Sequence, residues 1–167
     1  MLKSLWISLI ALLCLIRTAP ADENTLIKLP TDAAVVLALA AEGVQIYEPK
    51  SDPVHGLQWA LKAPEAELRN LSGELVVKHF AGPSWRANDG SQITGALPPL
   101  TASPAGRDIP WLVIAVKSSS GSGLLQNIGY VARIATEGGT APHEPPKNEA
   151  DTARIKYRAI YLFFQKG

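Results

Sequence analysis

The chain has 167 residues, with 16 basic and 15 acidic side chains, a length that fits one domain of ordinary size. Its 47% hydrophobic and 19% charged residues argue against disorder, and a formal charge of +1 provides no excess charge for binding nucleic acid. The single cysteine excludes an internal disulfide and a cysteine-based zinc site.

The first 21 residues have the pattern of a signal peptide. Lys3 supplies the positive start, and residues 5–16 form an uncharged apolar run, shorter than the roughly 20 residues of a spanning helix. Small residues follow up to Ala21, so we expect cleavage between Ala21 and Asp22, a periplasmic or secreted protein, and no stable membrane insertion afterwards. An uncleaved anchor and lipidation of the single cysteine are the alternatives.

The remainder, residues 22–167, contains no cysteine and is expected to form one β-rich domain. The whole chain has thirteen glycines and thirteen prolines, spread widely, which leaves short segments between turns. This pattern predicts an all-β fold, an antiparallel β-sandwich or barrel with long Pro/Gly-rich loops.

The first elements are partly ambiguous. Residues 35–41 are apolar and alanine-rich, so a short helix competes with a strand. Residues 44–47 and 57–62 alternate and predict two strands of a hairpin. Residues 64–68 predict one helical turn, with Pro64 at its first position.

Further strands are predicted at residues 75–81, 91–97, 111–116 and 129–136. Asp89 and Gly90 tolerate positive φ and indicate a hairpin turn. The clearest strand is 154–164, whose odd-numbered residues form one apolar face. Its other face is charged up to Arg158 and apolar later, which predicts burial on both faces only at the end.

An ordered series of short motifs runs through the chain: residues 43–47 (GVQIY), 79–85 (HFAGPSW), 89–91 (DGS), 109–112 (IPWL), 136–142 (TEGGTAP) and 157–161 (YRAIY). The series resembles the family of exported proteins known as domain of unknown function 3455. The resemblance implies a compact β-rich domain outside the cytoplasm and no established activity.

The chain departs from the family pattern at two cysteine positions. The first corresponds to Pro49, and the second region reads HEPP at residues 143–146. Because both cysteines are missing together, we interpret them as a lost disulfide and expect Pro49 to lie near Pro145 or Pro146.

Four residues are candidates for a binding site, and each also has a purely structural interpretation. His79 lies in a predicted strand, where it either makes a structural hydrogen bond or contacts a ligand. Trp85 lies in a predicted loop, where it could stack on a sugar or an aromatic ligand or cap the end of a barrel.

The other two candidates are charged. Asp89 either makes the hairpin turn, or it orients His79 or accepts a hydrogen bond from a ligand. Arg133 lies in the middle of a predicted strand, and a partly buried arginine needs a carboxylate or several carbonyls. We expect a structural ion pair with Glu137 or Asp89.

The sequence contains no recognisable catalytic motif. It lacks a Gly-x-Ser-x-Gly element, its three histidines have no metal-ligand spacing, and the glycines at 121 and 123 are not followed by a third at 126. We therefore expect no cofactor, no metal and no nucleic-acid partner.

The favoured interpretation is an exported, non-enzymatic domain that binds a small molecule, a glycan or an envelope partner. Its binding surface would lie where residues 84–91 meet residues 138–146, since rigid β scaffolds carry recognition on loops. One alternative is a hydrolase or isomerase with His79 as base, oriented by Asp89. The other is a structural envelope protein without a ligand.

Overall fold

The structure is a computed structural model that describes residues 27–103 and 106–166. Within these residues it contains nine strands and no helix. The strands are β1 (Ala33–Asp52), β2 (Gly56–Arg69), β3 (Leu75–Phe80), β4 (Ser84–Ala87), β5 (Gln92–Gly95), β6 (Thr101–Ala102), β7 (Leu112–Ser120), β8 (Ile128–Gly138) and β9 (Ala153–Lys166). Every pairing is antiparallel, so the predicted all-β class is confirmed.

The sheet closes on itself. Its order is β5-β4-β3-β2-β1-β9-β8-β7-β6, and β5 also pairs with β7. β5 pairs with residues 116–120 of β7, whereas β6 pairs with Leu112 and Val113 of the same strand. Together β5 and β6 therefore form one interrupted side of an eight-sided barrel, and the barrel alternative is correct.

Two of the ambiguous segments are strands. Residues 35–41 belong to β1, which pairs with β9 and β2 on its two sides, so the helical alternative is wrong. The helical turn predicted at 64–68 is also wrong, because β2 continues through it. Pro64 is tolerated since β3 pairs with β2 only from Ala66 onward, which leaves Pro64 on a free edge.

Two apolar clusters hold the fold together. The larger fills the barrel with inward-facing side chains. The smaller lies outside the barrel, where Phe164, Val113 and Ala132 pack against Ile27, which precedes β1. Phe163 faces the interior and Phe164 the exterior, whereas Arg158 is exposed. The prediction for the last strand is thus confirmed.

The strand directions define two ends, which we call the closed end and the open end. The closed end carries the turns 88–91 and 121–127, and Leu125 from the second turn is fully buried. The open end carries the turn 81–83 and the break between β5 and β6 at residues 96–100. The interior is apolar toward the closed end and becomes polar toward the open end.

Two tryptophans are only half-buried: Trp111, just before β7, and Trp59, on β2. Trp59 lies opposite Pro49 and donates its indole N–H to the carbonyl of Glu144, 2.9 Å away. This hydrogen bond holds the loop that carries Pro145 against Trp59, which pairs with Pro49. Proximity of the two prolines stays a prediction.

The predicted signal peptide, residues 1–21, and its cleavage site between Ala21 and Asp22 lie outside the described residues. Across residues 27–103 and 106–166, no helix is long and apolar enough to cross a membrane.

Candidate functional site

A cavity of about 350 Å³ opens at the open end of the barrel. Its walls are mainly apolar and aromatic, with polar groups from Gln45, His79, Arg133 and Tyr161. The other lining residues are Leu61, Lys62, Ala63, Pro64, Gly82, Pro83, Trp85, Leu97, Pro99, Leu112 and Ile114. The part of β2 that does not pair with β3 and the break between β5 and β6 both contribute residues to the cavity.

His79 and Trp85 form one wall of the cavity. They face each other across the β3–β4 hairpin, and their rings stack with centroids 4.6 Å apart and planes 8° apart. His79 Nδ1 lies 2.9 Å from the carbonyl oxygen of Ser84. Because a carbonyl only accepts, Nδ1 carries the proton and Nε2 is left as an acceptor.

Burial and the nearby positive charge of Arg133 lower the pKa of His79 to about 4, although the bond to Ser84 opposes this shift. Burial has this effect because it disfavours the charged imidazolium. His79 is therefore neutral at pH 7, so its Nδ1 donates to Ser84 and its Nε2 can accept one hydrogen bond. Its pKa makes it a weak base at neutral pH.

Trp85 lies on β4 and is 1% exposed, so its predicted position in a loop is wrong. Its ring meets Tyr161 and Phe163 edge-on, with centroid distances of 6.2 and 6.5 Å. Gly95 on β5 permits this packing, since a Cβ there would lie 3.2 Å from Trp85 Cζ3 and 2.5 Å from Ile114 Cγ2. Trp85 is thus a rigid wall and cannot stack on a ligand from a mobile loop.

Asp89 lies at the closed end, in the turn after β4, and does not pair with His79. Its carboxylate accepts hydrogen bonds from Leu124 N at 2.7 Å and from Ser91 N and Oγ at 2.9 and 2.6 Å. These hydrogen bonds lower the pKa of Asp89, and the bond from Leu124 N has the largest effect. The turn interpretation is correct, and the His79–Asp89 pair of the enzymatic alternative is wrong.

The prediction that residues 84–91 and 138–146 meet in one binding surface is also wrong. Residues 89–91 belong to the closed end, whereas β8 ends with Gly138 at the open end. Because β4 and β8 run between the two ends, residues 84–91 and 138–146 do not form a single surface.

Arg133 projects from β8, opposite Tyr161 of β9, and is half-buried. Its Nε and Nη2 both donate to the carbonyl oxygen of Pro110, at 3.2 and 2.9 Å. Among the described residues Arg133 takes part in no ion pair, so the expected pair with Glu137 or Asp89 is wrong. The carbonyl orients the guanidinium without neutralising it.

Sequence reasoning missed Gln45 and the role of Tyr161. Tyr161 Oη lies 3.2 Å from Tyr157 Oη, and burial raises the pKa of both hydroxyls, so both are neutral. Gln45 is 1% exposed and shares the inward face of β1 with Leu39 and Ala41. The alternation of β1 could have identified it, because period-two spacing puts a polar residue among core positions.

Two buried polar atoms of cavity residues have no hydrogen-bond partner. Within residues 27–103 and 106–166, buried unpartnered side-chain atoms occur at Gln45 Oε1 and Trp85 Nε1. Buried polar groups are normally paired, since an unpaired one costs about 1–3 kcal/mol. One free acceptor and one free donor therefore belong to residues that line the same cavity.

Two grooves on the outer face of the sheet run between charged side chains, such as Glu42 and Arg158, which pair at 2.9 Å. Over the described part of the chain, no group of three or more His, Cys, Asp or Glu could hold a metal ion.

Comparison with known proteins identifies the family. No curated protein and no solved structure matches this chain. The family described as Protein of unknown function (DUF3455) matches residues 30–165, as its motifs indicated, and the chain belongs to that family.

Proposed function

We propose that this protein binds a small molecule in the cavity at the open end of the barrel. The observation that carries the proposal is the pair of buried, unpartnered atoms, Gln45 Oε1 and Trp85 Nε1, on residues that line the cavity. The cavity is therefore bordered by residues whose hydrogen-bonding groups the protein itself leaves unused.

The dimensions support a compact ligand. Small-molecule sites are concave, mainly apolar and about 300–1,000 Å³ in volume, and this cavity lies near the lower limit. Eight-stranded barrels are just wide enough to hold one small ligand among their inward side chains. A volume of 350 Å³ corresponds to on the order of ten water molecules, or one ring with short substituents.

The two other functions considered fit less well. The enzymatic alternative paired His79 with Asp89, whereas the group that bonds its Nδ1 is the Ser84 carbonyl, and a pKa of about 4 makes the imidazole a weak base at pH 7. A structural protein without a ligand has no use for unpaired polar atoms in its interior, where filling the space with apolar side chains would stabilise it.

Export is part of the proposal and rests on residues 1–21. The protein recovered after expression from its full coding sequence should begin at Asp22. Intact mass tests this directly, since an uncleaved leader or a lipidated cysteine would each give a larger mass.

The binding proposal is tested by a thermal-shift screen of the purified protein against small acids, alcohols, amines and single-ring aromatics. A ligand at 100 times its Kd should raise the free energy of unfolding by about 2.7 kcal/mol. Leu112→Trp should abolish the shift, because Leu112 lines the cavity and a larger ring would fill it.

Lys117→Trp is the matched control, since Lys117 is an exposed residue of the same strand and does not line the cavity. Far-UV circular dichroism confirms that both variants fold. The proposal fails if no compound shifts the wild type, or if Leu112→Trp responds like Lys117→Trp.

A further inference from the structure

Arg133 forms no ion pair within 4 Å with an acidic group of the described chain. The five ion pairs found there all join exposed side chains, and Arg133 is in none of them. The residues that line the cavity include no aspartate or glutamate. A half-buried guanidinium without a carboxylate is unusual, because a buried charge needs an opposite charge or several dipoles.

The guanidinium is nevertheless well oriented. Pro110 receives hydrogen bonds from Nε and Nη2, and the Tyr161 hydroxyl interacts with the same side chain. Arginine has five N–H donors, so donors remain for a ligand. A planar guanidinium held in one orientation matches the two oxygens of a carboxylate.

Apart from Lys62, the other polar side chains that line the cavity with Arg133 are neutral. His79 is a neutral ring at pH 7, and Tyr161 is a neutral hydroxyl. Lys62 at the mouth pairs with Glu48 at 3.0 Å. Burial, and to a smaller extent the positive charge of Arg133, lowers the pKa of His79.

Building on the proposed function, we infer that the ligand is a small monocarboxylate with an aromatic or aliphatic body. Its carboxylate binds Arg133, and its body packs against Leu97, Leu112 and Ile114. A phosphate dianion or a second carboxylate would need a second free cation, and the other cation that lines the cavity, Lys62, pairs with Glu48.

The test uses benzoate and benzamide, which have nearly the same shape and differ in charge, in calorimetry and thermal shift with the purified protein. Benzoate should bind about tenfold or more tightly than benzamide, because charge-assisted hydrogen bonds are stronger than neutral ones. Arg133→Gln should remove this preference by weakening benzoate alone. Arg154→Gln is the control, since Arg154 pairs with Glu65 on the outer surface.

Equal binding of benzoate and benzamide would overturn the inference and leave the cavity proposal intact. If only neutral compounds bound, and Leu112→Trp abolished their binding, the carboxylate inference would also be overturned and the cavity proposal would stand. Absence of any shift in the full screen would defeat both proposals. If Arg133→Gln fails to fold, the wild-type comparison still decides, and Arg133→Lys should show an intermediate affinity for benzoate because it keeps the charge and loses the planar fork.

Discussion

The two ends of the barrel are built by the same strands and differ in what their inward positions carry. Toward the closed end those positions hold Leu39, Leu68, Val77 and Phe163, all almost completely buried. Toward the open end they hold Gln45, His79 and Arg133 around a cavity. One half of the interior therefore supplies stability, and the other half sacrifices packing for polar groups, as binding sites commonly do.

Buried polar groups show the same contrast. Ser91 at the closed end is completely buried, and its hydroxyl both donates to Asp89 and accepts from Leu125 N at 3.1 Å. Gln45 and Trp85 are buried to the same degree and each has an unpartnered atom. The fold satisfies a buried hydroxyl at one end and leaves two buried polar atoms unpaired at the other, a contrast that supports the proposed binding role of the open end.

The largest expected effect is the loss of packing at the closed end. Phe163→Ala should lower the free energy of unfolding by about 3–5 kcal/mol, because it removes a fully buried ring and leaves a cavity. Leu97→Ala, at the exposed rim of the open end, should change it by less than about 0.5 kcal/mol. Chemical denaturation measures both, and similar losses would contradict the division between the ends.

The pH dependence of stability should come next. Unfolded His79 binds a proton below about pH 6.5, whereas the folded residue does so only below about 4. The unfolded state therefore binds more protons between these values, and the free energy of unfolding should fall by up to about 3 kcal/mol as the pH decreases from 6.5 to 4.

Denaturant titrations at several pH values measure this slope. His79→Gln should be less stable at pH 7 and should show a flatter profile over the same range. An unchanged slope in that variant would show that His79 does not stay neutral in the folded protein.

A smaller effect of opposite sign is expected at Gln45. Gln45→Leu should raise the stability of the unliganded protein by about 1 kcal/mol, since it replaces an unpaired buried acceptor with an apolar group of similar size. Gln58→Leu is the control, because Gln58 is exposed and lies on the next strand. A loss of stability in Gln45→Leu would mean that this amide supports the fold, and thermal denaturation distinguishes the outcomes.

The smallest effect at the cavity should come from the closed end. Asp89→Ala should lower the melting temperature, because it removes the acceptor for Leu124 and Ser91, and should leave the benzoate affinity unchanged. Calorimetry and thermal denaturation measure the two quantities separately. A weaker benzoate affinity in Asp89→Ala would show that the closed end affects binding at the open end and that Asp89 has a role in the site.

Local patterns were reliable where one residue decided one turn or one face. Asp89 and Gly90 form the predicted turn, and the change of character after Arg158 correctly placed Phe164 in a second cluster. The same reasoning failed for Pro64, because the missing hydrogen-bond partner that permits a proline within a strand depends on where β3 begins. It failed for Trp85 because a four-residue strand between two turns looks like a loop.

The amino-acid sequence alone determined the β class and the family, and it identified His79 and Arg133 as candidate binding residues. It could do so because alternation and motif order are local properties of the chain. Tertiary structure decided that β5 meets β7 and closes the barrel, that Asp89 lies at the end away from His79, and that Arg133 has a carbonyl for its partner. These outcomes depend on contacts between residues far apart in the chain, which strand register and closure establish and no short motif records.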